Sequence, residues 1–275
     1  MDEAPFSFLR SNARPEKPRK TGVTEIRGPY YTPMGPQYLG DLLDTMGHAI
    51  DTLKFAAGSF TVLSPASVRS MIELCHQHQV AISTGGFIEY VLTQGEAAVD
   101  QYVDRCAELH FDTIEISSGF ITISPQSVIR LIDRVHRAGL KAKVEVGIQF
   151  GAGGASTAEA LKQEGTRDVQ WVIDQAKAFL DHGADALMLE SEGITESVER
   201  ADWRIDVPPR VANAVGLERV MFEAADPDVF SWYVQTFGPD VNLFVDHSQI
   251  VQLECLRRGI WGTSATWGRI LSYGT

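Results

Sequence analysis

From Thr24 onward, the chain alternates between short runs rich in β-branched residues and longer stretches with apolar residues at helical spacing. The β-rich runs recur at intervals of roughly 25 to 35 residues, which is typical of repeated βα units. We therefore predict eight strands. They begin at Thr24, Asp51, Val80, Asp112, Lys141, Asp185, Arg219 and Val241.

Helix signals fill the segments between these strands. Two segments open with Ser-Pro, at Ser64 and Ser124, where a capping side chain precedes a proline of the first turn. Two segments, one of them the segment that opens at Ser124, end on glycine, at Gly139 and Gly183, shortly before the next strand. Eight alternating units predict an α/β fold of the (β/α)8 TIM-barrel class. A doubly wound open sheet is the alternative, but the lack of a glycine-rich dinucleotide fingerprint favours the closed barrel.

The domain organisation follows from the same pattern. No proline-rich linker or low-complexity block interrupts residues 24–270, and barrels of this class routinely use a chain of 275 residues as one domain. We predict a single barrel domain over residues 24–275. Residues 1–23 mix proline with a basic end and lack the apolar segment of a secretory signal, so we predict a flexible N-terminal arm.

Charge and cysteine usage narrow the classes of partner. The formal net charge of -12 disfavours nucleic acid and anionic membranes, and an anionic ligand would need local basic groups or a metal ion. The three cysteines show no zinc-ligand spacing, and no apolar run approaches the roughly 20 residues of a membrane span. We predict a cytoplasmic protein with a small-molecule anionic substrate, and a homo-oligomer remains open.

Glutamates lie late in four consecutive predicted strands, at Glu115, Glu145, Glu190 and Glu223. Because catalytic groups of such barrels gather where the strands end, we expect these side chains to converge at one mouth. Each glutamate alone could instead pair with a helix. Four crowded carboxylates raise one another's pKa values or require a cation, so we predict that they bind Mg²⁺, with Mn²⁺ as second choice.

Other charged residues are expected at the same mouth. Lys54 lies late in the second strand and is either a counter-ion or, with a pKa lowered toward neutrality, a proton donor. Asp246 ends the eighth strand and is assigned to substrate binding. His247, beside it, is either structural or an acid–base group. We assign the catalytic role to Lys54, Glu145 and His247.

Two further pairs of residues are assigned to substrate binding. Arg257 and Arg258 follow the eighth strand, where they would either end a solvated helix or reach a phosphate at the customary anion site of this fold. Gly85 and Gly86 would let backbone amides approach a ligand.

The segments "LKFAAGS", "GGFIEY", "IEISSG", "VEVG", "MLESEG", "VMFEAA" and "VNLFVDHSQIVQLECLRRG" give the chain a family resemblance. The sequence resembles the phosphosulfolactate synthases of coenzyme M biosynthesis and their plant relatives, the heat-stress-associated proteins. The resemblance implies a TIM barrel, and its synthase members add sulfite to phosphoenolpyruvate with Mg²⁺. The positions that match the family's site are Lys54, Gly85, Gly86, Glu89, Glu115, Glu145, Glu190, Glu223, Arg257 and Arg258.

The sequence departs from the archaeal synthases where cations would be expected. Ile148 and Gln149 stand where a basic pair follows the fifth strand, while "FVDHSQI" and "LESEGITESV" look more like the plant branch. Three functions remain open. They are a Mg²⁺-dependent lyase that adds sulfite to an enol phosphate, a repurposed isomerase, lyase or cyclase acting on another carboxylate, and a non-catalytic stress-protection protein.

Overall fold

In a computed structural model of the chain, eight parallel strands form one closed barrel in sequential order, with the first strand pairing with the eighth. The structure describes residue 6 and residues 8–154, 156–224, 226–264 and 266–272. The predicted TIM-barrel class is confirmed. The strands are β1 (Thr24–Arg27), β2 (Thr52–Lys54), β3 (Ala81–Ser83), β4 (Thr113–Ile116), β5 (Lys141–Val146), β6 (Ala186–Leu189), β7 (Val220–Glu223) and β8 (Leu243–Asp246).

Helices surround the barrel, and their sequence signals act as predicted. The Ser64 and Ser124 hydroxyls accept hydrogen bonds from the backbone N–H groups three residues on, and a proline follows each cap. The α-helices of the described chain are α1 (Pro36–Met46), α2 (Pro65–Gln77), α3 (Ile88–Leu92), α4 (Glu96–Glu108), α5 (Pro125–Arg137), α6 (Ala158–Glu164), α7 (Val169–Asp181), α8 (Val207–Val215), α9 (Pro227–Phe237) and α10 (Ile250–Arg257). None of the helices within these ranges is long and apolar enough to cross a membrane.

The strand alternation divides the apolar and charged residues between two sides of the barrel. In β5, Ala142 and Val144 belong to the large apolar core, which includes residues of the surrounding helices. Lys143, between them in sequence, instead makes ion pairs with residues of β1 and β4. A small apolar cluster of Met188, Met221 and Phe244 shares the barrel interior. Charged groups therefore occupy the inside of the barrel toward the carboxyl ends of the strands.

Residues 12–22 are attached to the amino-terminal end of the barrel, which corrects the expectation of a flexible arm for this part. The Asn12 side-chain amide donates to the carbonyls of Arg257 and Ile270 at 2.9 Å each. The Arg14 side chain is 4% exposed, and its Nε lies 3.1 Å from the Glu254 carboxylate. Sequence periodicity did not detect this attachment because it consists of polar hydrogen bonds. Residues 1–5 and 7 of the predicted arm lie outside the described residues.

Candidate active site

A cavity opens at the carboxyl ends of the strands, with an empty volume of roughly 1020 Å³ that includes its solvent-open part. All four glutamates predicted to converge there line it, and so do Lys54, Gly85 and Gly86. The predicted convergence of strand-end side chains at one mouth is confirmed. Three further charged residues, Arg27, Glu89 and Glu196, line the same cavity.

Two lysines and two glutamates form a buried ion quartet at the base of this cavity. The Lys54 Nζ lies 2.8 Å from Glu115 Oε2 and 3.8 Å from Glu25 Oε1. The Lys143 Nζ lies 2.6 Å from Glu25 Oε1 and 2.9 Å from Glu115 Oε2. The side chains are at most 5% exposed, so the four charges balance inside the barrel. Sequence reasoning missed Glu25, whose strand carries no family motif.

The quartet decides the roles of Lys54 and Glu115. Burial opposes the charged form of Lys54, but Glu115 and Glu25 outweigh burial and raise the lysine pKa above its ordinary value. The condition for Lys54 as proton donor, a pKa near neutrality, is therefore not met, and the counter-ion reading is favoured. Burial would raise the pKa of Glu115, yet Lys143 and Lys54 lower it to about 2. Glu115 is thus an ionised partner of two lysines.

Arg27 is a cation of the mouth that sequence reasoning missed. Its Nη2 donates to Glu223 Oε1 at 2.8 Å, and its guanidinium lies 5.0 Å from the ring centroid of Tyr31 and 4.9 Å from that of Phe244. Glu223 is consequently neutralised by a neighbour. The signal was present in "TEIR", because Arg27 is the last residue of β1.

Glu145 and Glu190 differ from the other two glutamates because no Lys or Arg of the described chain lies within ion-pair distance of either. Burial and the nearby charge of Glu190 raise the pKa of Glu145 well above its usual range. Burial and the charge of Glu223 do the same for Glu190, although the backbone N–H groups of Ser191 and Glu192 donate to it at 2.8 and 2.9 Å. Ionising both carboxyl groups is therefore unfavourable unless one of them holds a proton or the pair binds a cation.

The four predicted metal ligands do not form one ready-made ligand set. Among the described residues, no three His, Cys, Asp or Glu side chains come close enough to hold a metal ion. Glu115 and Glu223 are engaged by cationic side chains, which leaves Glu145 and Glu190 as the carboxyl groups of the set without an ion pair. Metal binding by the full set stays an untested prediction, but the unpaired glutamates are chemically suited to a hard divalent cation.

Two carboxylates fix the loops around the mouth. Glu89 accepts hydrogen bonds from the Ser117 hydroxyl and from the backbone N–H groups of residues 119, 120 and 121, at 2.6 to 3.2 Å. Glu192 accepts from the N–H of Gly153 at 3.0 Å and from the N–H and hydroxyl of Ser156 at 2.6 and 2.9 Å. Both glutamates thus hold backbone in place beside the cavity.

The two predicted glycines allow a close approach of backbone at the cavity edge. Gly85 has φ +63°, and a Cβ there would lie 2.8 Å from the Phe55 carbonyl oxygen. A Cβ on Gly86 would lie 2.6 Å from the Ser117 hydroxyl oxygen. A larger residue at Gly85 would force the loops after β2 and β3 apart, whereas at Gly86 it would displace the Ser117 hydroxyl. Binding of substrate by their amides remains a prediction.

Asp246 and His247 lie at the carboxyl end of β8 but do not line the cavity. Asp246 accepts hydrogen bonds from the N–H and hydroxyl of Ser248 and caps the short 3-10 helix His247–Gln249. The His247 ring is buried, with Nδ1 3.1 Å from the Arg27 carbonyl and an edge contact to Tyr38 at 5.5 Å. These contacts favour the structural reading of His247.

Arg257 and Arg258 lie at the opposite end of the barrel, which corrects their predicted position at the mouth. α10 runs antiparallel to the strands, so its last residues reach the amino-terminal end, beside Arg14. Arg257 is fully buried and donates to the Pro239 carbonyl. Arg258 donates to Glu254 at 2.7 Å. Their place after β8 in sequence was misleading because a whole helix separates them from the strand end.

The fold and the mouth define a (β/α)8 barrel whose strand ends gather carboxylates around a few paired cations. The sequence model of the (2R)-phospho-3-sulfolactate synthase (ComA) family matches residues 12–263. The chain belongs to this family, a family of lyase-type enzymes.

Two relatives show the range of the family. The protein HEAT-STRESS-ASSOCIATED 32 of Arabidopsis thaliana is 34% identical over 261 residues, which cover 91% of each chain. The phosphosulfolactate synthase of Methanothermobacter thermautotrophicus is 26% identical, covering 94% of this chain and 96% of that one. Among solved structures, the carboxyl transferase domain of Rhizobium etli pyruvate carboxylase with oxalate matches 83% of this chain and 40% of that one. Its TM-score is 0.57 at 12% identity, which shows the fold alone.

Proposed function

We propose that this protein is a Mg²⁺-dependent lyase of the phosphosulfolactate synthase type, which adds sulfite or a related nucleophile to phosphoenolpyruvate or a similar enol carboxylate. The observation that carries the proposal is the pair Glu145 and Glu190, two neighbouring carboxyl groups of the mouth that make no ion pair with a Lys or Arg of the described chain. Membership of the family supports the reaction class. The resemblance to named synthases supports the substrates.

The cation is proposed to bind Glu145 and Glu190. One or two carboxylates are the usual protein contribution to a Mg²⁺ site, and Mn²⁺ accepts the same oxygen ligands. Once bound, the cation would offset the charge of an anionic substrate and the negative charge that develops on its carboxylate.

In the proposed addition, the sulfur lone pair of sulfite forms a bond to the methylene carbon of phosphoenolpyruvate. The double-bond electrons move toward the substrate carboxylate, and the central carbon then takes up one proton. The phosphate ester stays intact. This reaction needs a proton donor close to the central carbon, while Lys54 serves as a counter-ion.

Glu196 is the proposed donor, because a carboxylate that binds a cation does not also hold a proton. Glu196 lines the cavity, and burial together with the charge of Glu223 raises its pKa above the ordinary value. A carboxyl group with a raised pKa can carry a proton near neutral pH. Its place in the loop after β6, beyond the strand-end motif, explains why sequence reasoning missed it.

The test combines product formation with calorimetry. With phosphoenolpyruvate, sulfite and Mg²⁺, the unmodified protein should form phosphosulfolactate, detected by phosphorus NMR and mass spectrometry. Glu145→Gln should weaken Mg²⁺ binding and stop the reaction. Glu196→Gln should bind Mg²⁺ normally yet lose about 10² to 10⁴-fold in rate. Glu73→Gln, on the exposed face of α2, is the control and should change neither property.

A second candidate, a barrel enzyme acting on a carboxylate substrate without phosphate, is favoured by one observation. The cationic residues that line the mouth, Arg27 and Lys54, are each already paired with a glutamate. A substrate with fewer negative charges would need fewer free cations. Mg²⁺ binding that depends on Glu145, combined with no product from the unmodified protein, would favour this candidate and refute the synthase proposal.

A further inference from the structure

A second cavity lies beside the mouth, with an empty volume of roughly 600 Å³ that includes its solvent-open part. It is lined by residues of α5 and α7 and of the loops after β4 and β5. Of its lining residues, only Glu145 and Glu190 also line the mouth. The two cavities therefore meet at the carboxylate pair. We call this second cavity the side cavity.

The wall of the side cavity is largely apolar. Val128 of α5 and Val172 and Phe179 of α7 are buried residues that face it. Gly147 lines it directly after β5, where a Cβ would lie only 3.0 Å from the Glu190 Cβ. A side chain at Gly147 would therefore crowd the boundary between the two cavities. This surface suits the nonpolar body of a small ligand.

One cation, Arg167, enters the side cavity, and it is held in place without being neutralised. Its Nη1 donates to the Gln149 carbonyl at 2.7 Å, and its guanidinium lies 4.1 Å from the Phe150 ring centroid and 5.3 Å from that of Trp171. No carboxylate of the described chain lies within the 4.0 Å of an ion pair. Arg27 and Lys54, the cations of the mouth, both have such partners.

A second polar group of the side cavity also lacks a partner. The side-chain oxygen Oε1 of Gln175 is buried and accepts no hydrogen bond. A buried acceptor of this kind is costly unless a ligand or water donates to it. The side cavity thus combines an unneutralised guanidinium with an apolar wall, and the Gln175 acceptor is left to water, because a carboxylate ligand has no hydrogen to donate to it.

We propose that the side cavity binds a small organic anion with a nonpolar body, its charged end on Arg167 and its body against Val128, Val172 and Phe179. A ligand bound there would lie next to Glu145 and Glu190, where it would meet a substrate of the mouth. The contact between this ligand and a substrate of the mouth rests on the proposed function. Binding itself depends on Arg167 and the apolar wall.

The test uses 3-methylbutanoate as the probe and its neutral analogue 3-methylbutanamide as the matched ligand, both without Mg²⁺. Trp171 lines the side cavity, so binding of the anion should change tryptophan fluorescence and give heat in calorimetry. Arg167→Gln should weaken binding by at least about tenfold, because a charge-assisted hydrogen bond is lost. Arg130→Gln, which removes an exposed arginine from α5, should leave the affinity unchanged. Trp171→Phe should reduce the fluorescence change and keep the calorimetric binding.

Three results would overturn the proposal. They are no binding of 3-methylbutanoate to the unmodified protein at millimolar concentration, equal affinity for the amide, and equal affinity in Arg167→Gln. Arg27→Gln tests the two cavities separately. It removes a charge from the mouth and should leave binding of 3-methylbutanoate to the side cavity unchanged. Failure of sulfite addition with intact probe binding would refute only the proposed function, whereas the reverse pattern would refute only the side cavity.

Discussion

Replacing Lys54 by methionine tests whether the quartet of Lys54, Lys143, Glu25 and Glu115 stabilises the barrel. The pKa of Glu115 is about 2 instead of 4.5. At about 1.4 kcal/mol for each pKa unit, this difference corresponds to roughly 3 to 4 kcal/mol of interaction with the two lysines, net of burial. Lys54→Met leaves three charges with a net charge of −1 in a buried site. Breaking a buried pair typically costs about 3 to 5 kcal/mol, and we expect about 3 because Lys143 remains 2.9 Å from Glu115.

The double variant Lys54→Met/Glu115→Gln should be much less destabilised, by less than about 1.5 kcal/mol. It removes one charge of each sign and leaves Lys143 paired with Glu25 at 2.6 Å. The free energies are measured by urea unfolding followed by circular dichroism at pH 7. Lys141→Met, at an exposed lysine of β5, is the control and should stay within about 0.5 kcal/mol of the unmodified protein. Additive effects of the two substitutions would refute the quartet.

The pH dependence gives an independent check on the same variant. Glu115 has a lowered pKa, so its contribution to stability is present above its unfolded value and is lost as the pH falls toward about 2. Loss of Lys54 raises that pKa and reduces the contribution. The stability deficit of Lys54→Met should therefore be largest at pH 7 and smaller at pH 4. A deficit that is constant with pH would mean that lost packing, and not charge, causes it.

Two further predictions concern the arm and the carboxylate pair. Deleting residues 1–20 should lower the free energy of unfolding by at least about 3 kcal/mol, because Asn12, Arg14 and Arg19 lose hydrogen bonds to the barrel. Deleting residues 1–9 should lower it far less. Equal losses in the two deletion variants would contradict the attachment of residues 12–22. In cation-free buffer, the stability of Glu145→Gln relative to the unmodified protein should increase as the pH rises from 5 to 8. The reason is that a carboxyl group with a raised pKa in the folded state makes the unmodified protein less stable as the pH rises. A stability difference independent of pH would contradict the raised pKa.

The fold could be predicted from the sequence because each βα unit carries local signals for its own strand and helix. The caps at Ser64 and Ser124 and the eight β-rich runs are read over a few residues, and they specify elements in the order in which the barrel assembles them. The attachment of residues 12–22 has no comparable signal. Its hydrogen bonds join Asn12 to the backbone of Arg257, Arg258 and Ile270. The spacing of apolar residues does not indicate which backbone group a polar residue will bond.

The site could be predicted only as far as strand position determines it. Late residues of parallel strands share one end of a barrel, so the convergence of Glu115, Glu145, Glu190 and Glu223 follows from topology. The prediction was wrong for Arg257, because α10 returns the chain to the other end of the strands before this residue. Distance along the chain after a strand is therefore a poor guide to distance from the mouth once a helix begins.

The pairing of charges, which separates the four glutamates chemically, depends on contacts across the barrel. Glu115 meets Lys54 from β2 and Lys143 from β5, and Glu223 meets Arg27 from β1. These pairings leave Glu145 and Glu190 as the groups whose protonation or cation binding remains adjustable. The four residues look equivalent in sequence, yet two of them are paired with cationic side chains and two are not. Because the lysines and Arg27 are already paired with glutamates, an anionic substrate at this mouth needs a further positive charge, and we propose that a divalent cation on Glu145 and Glu190 supplies it.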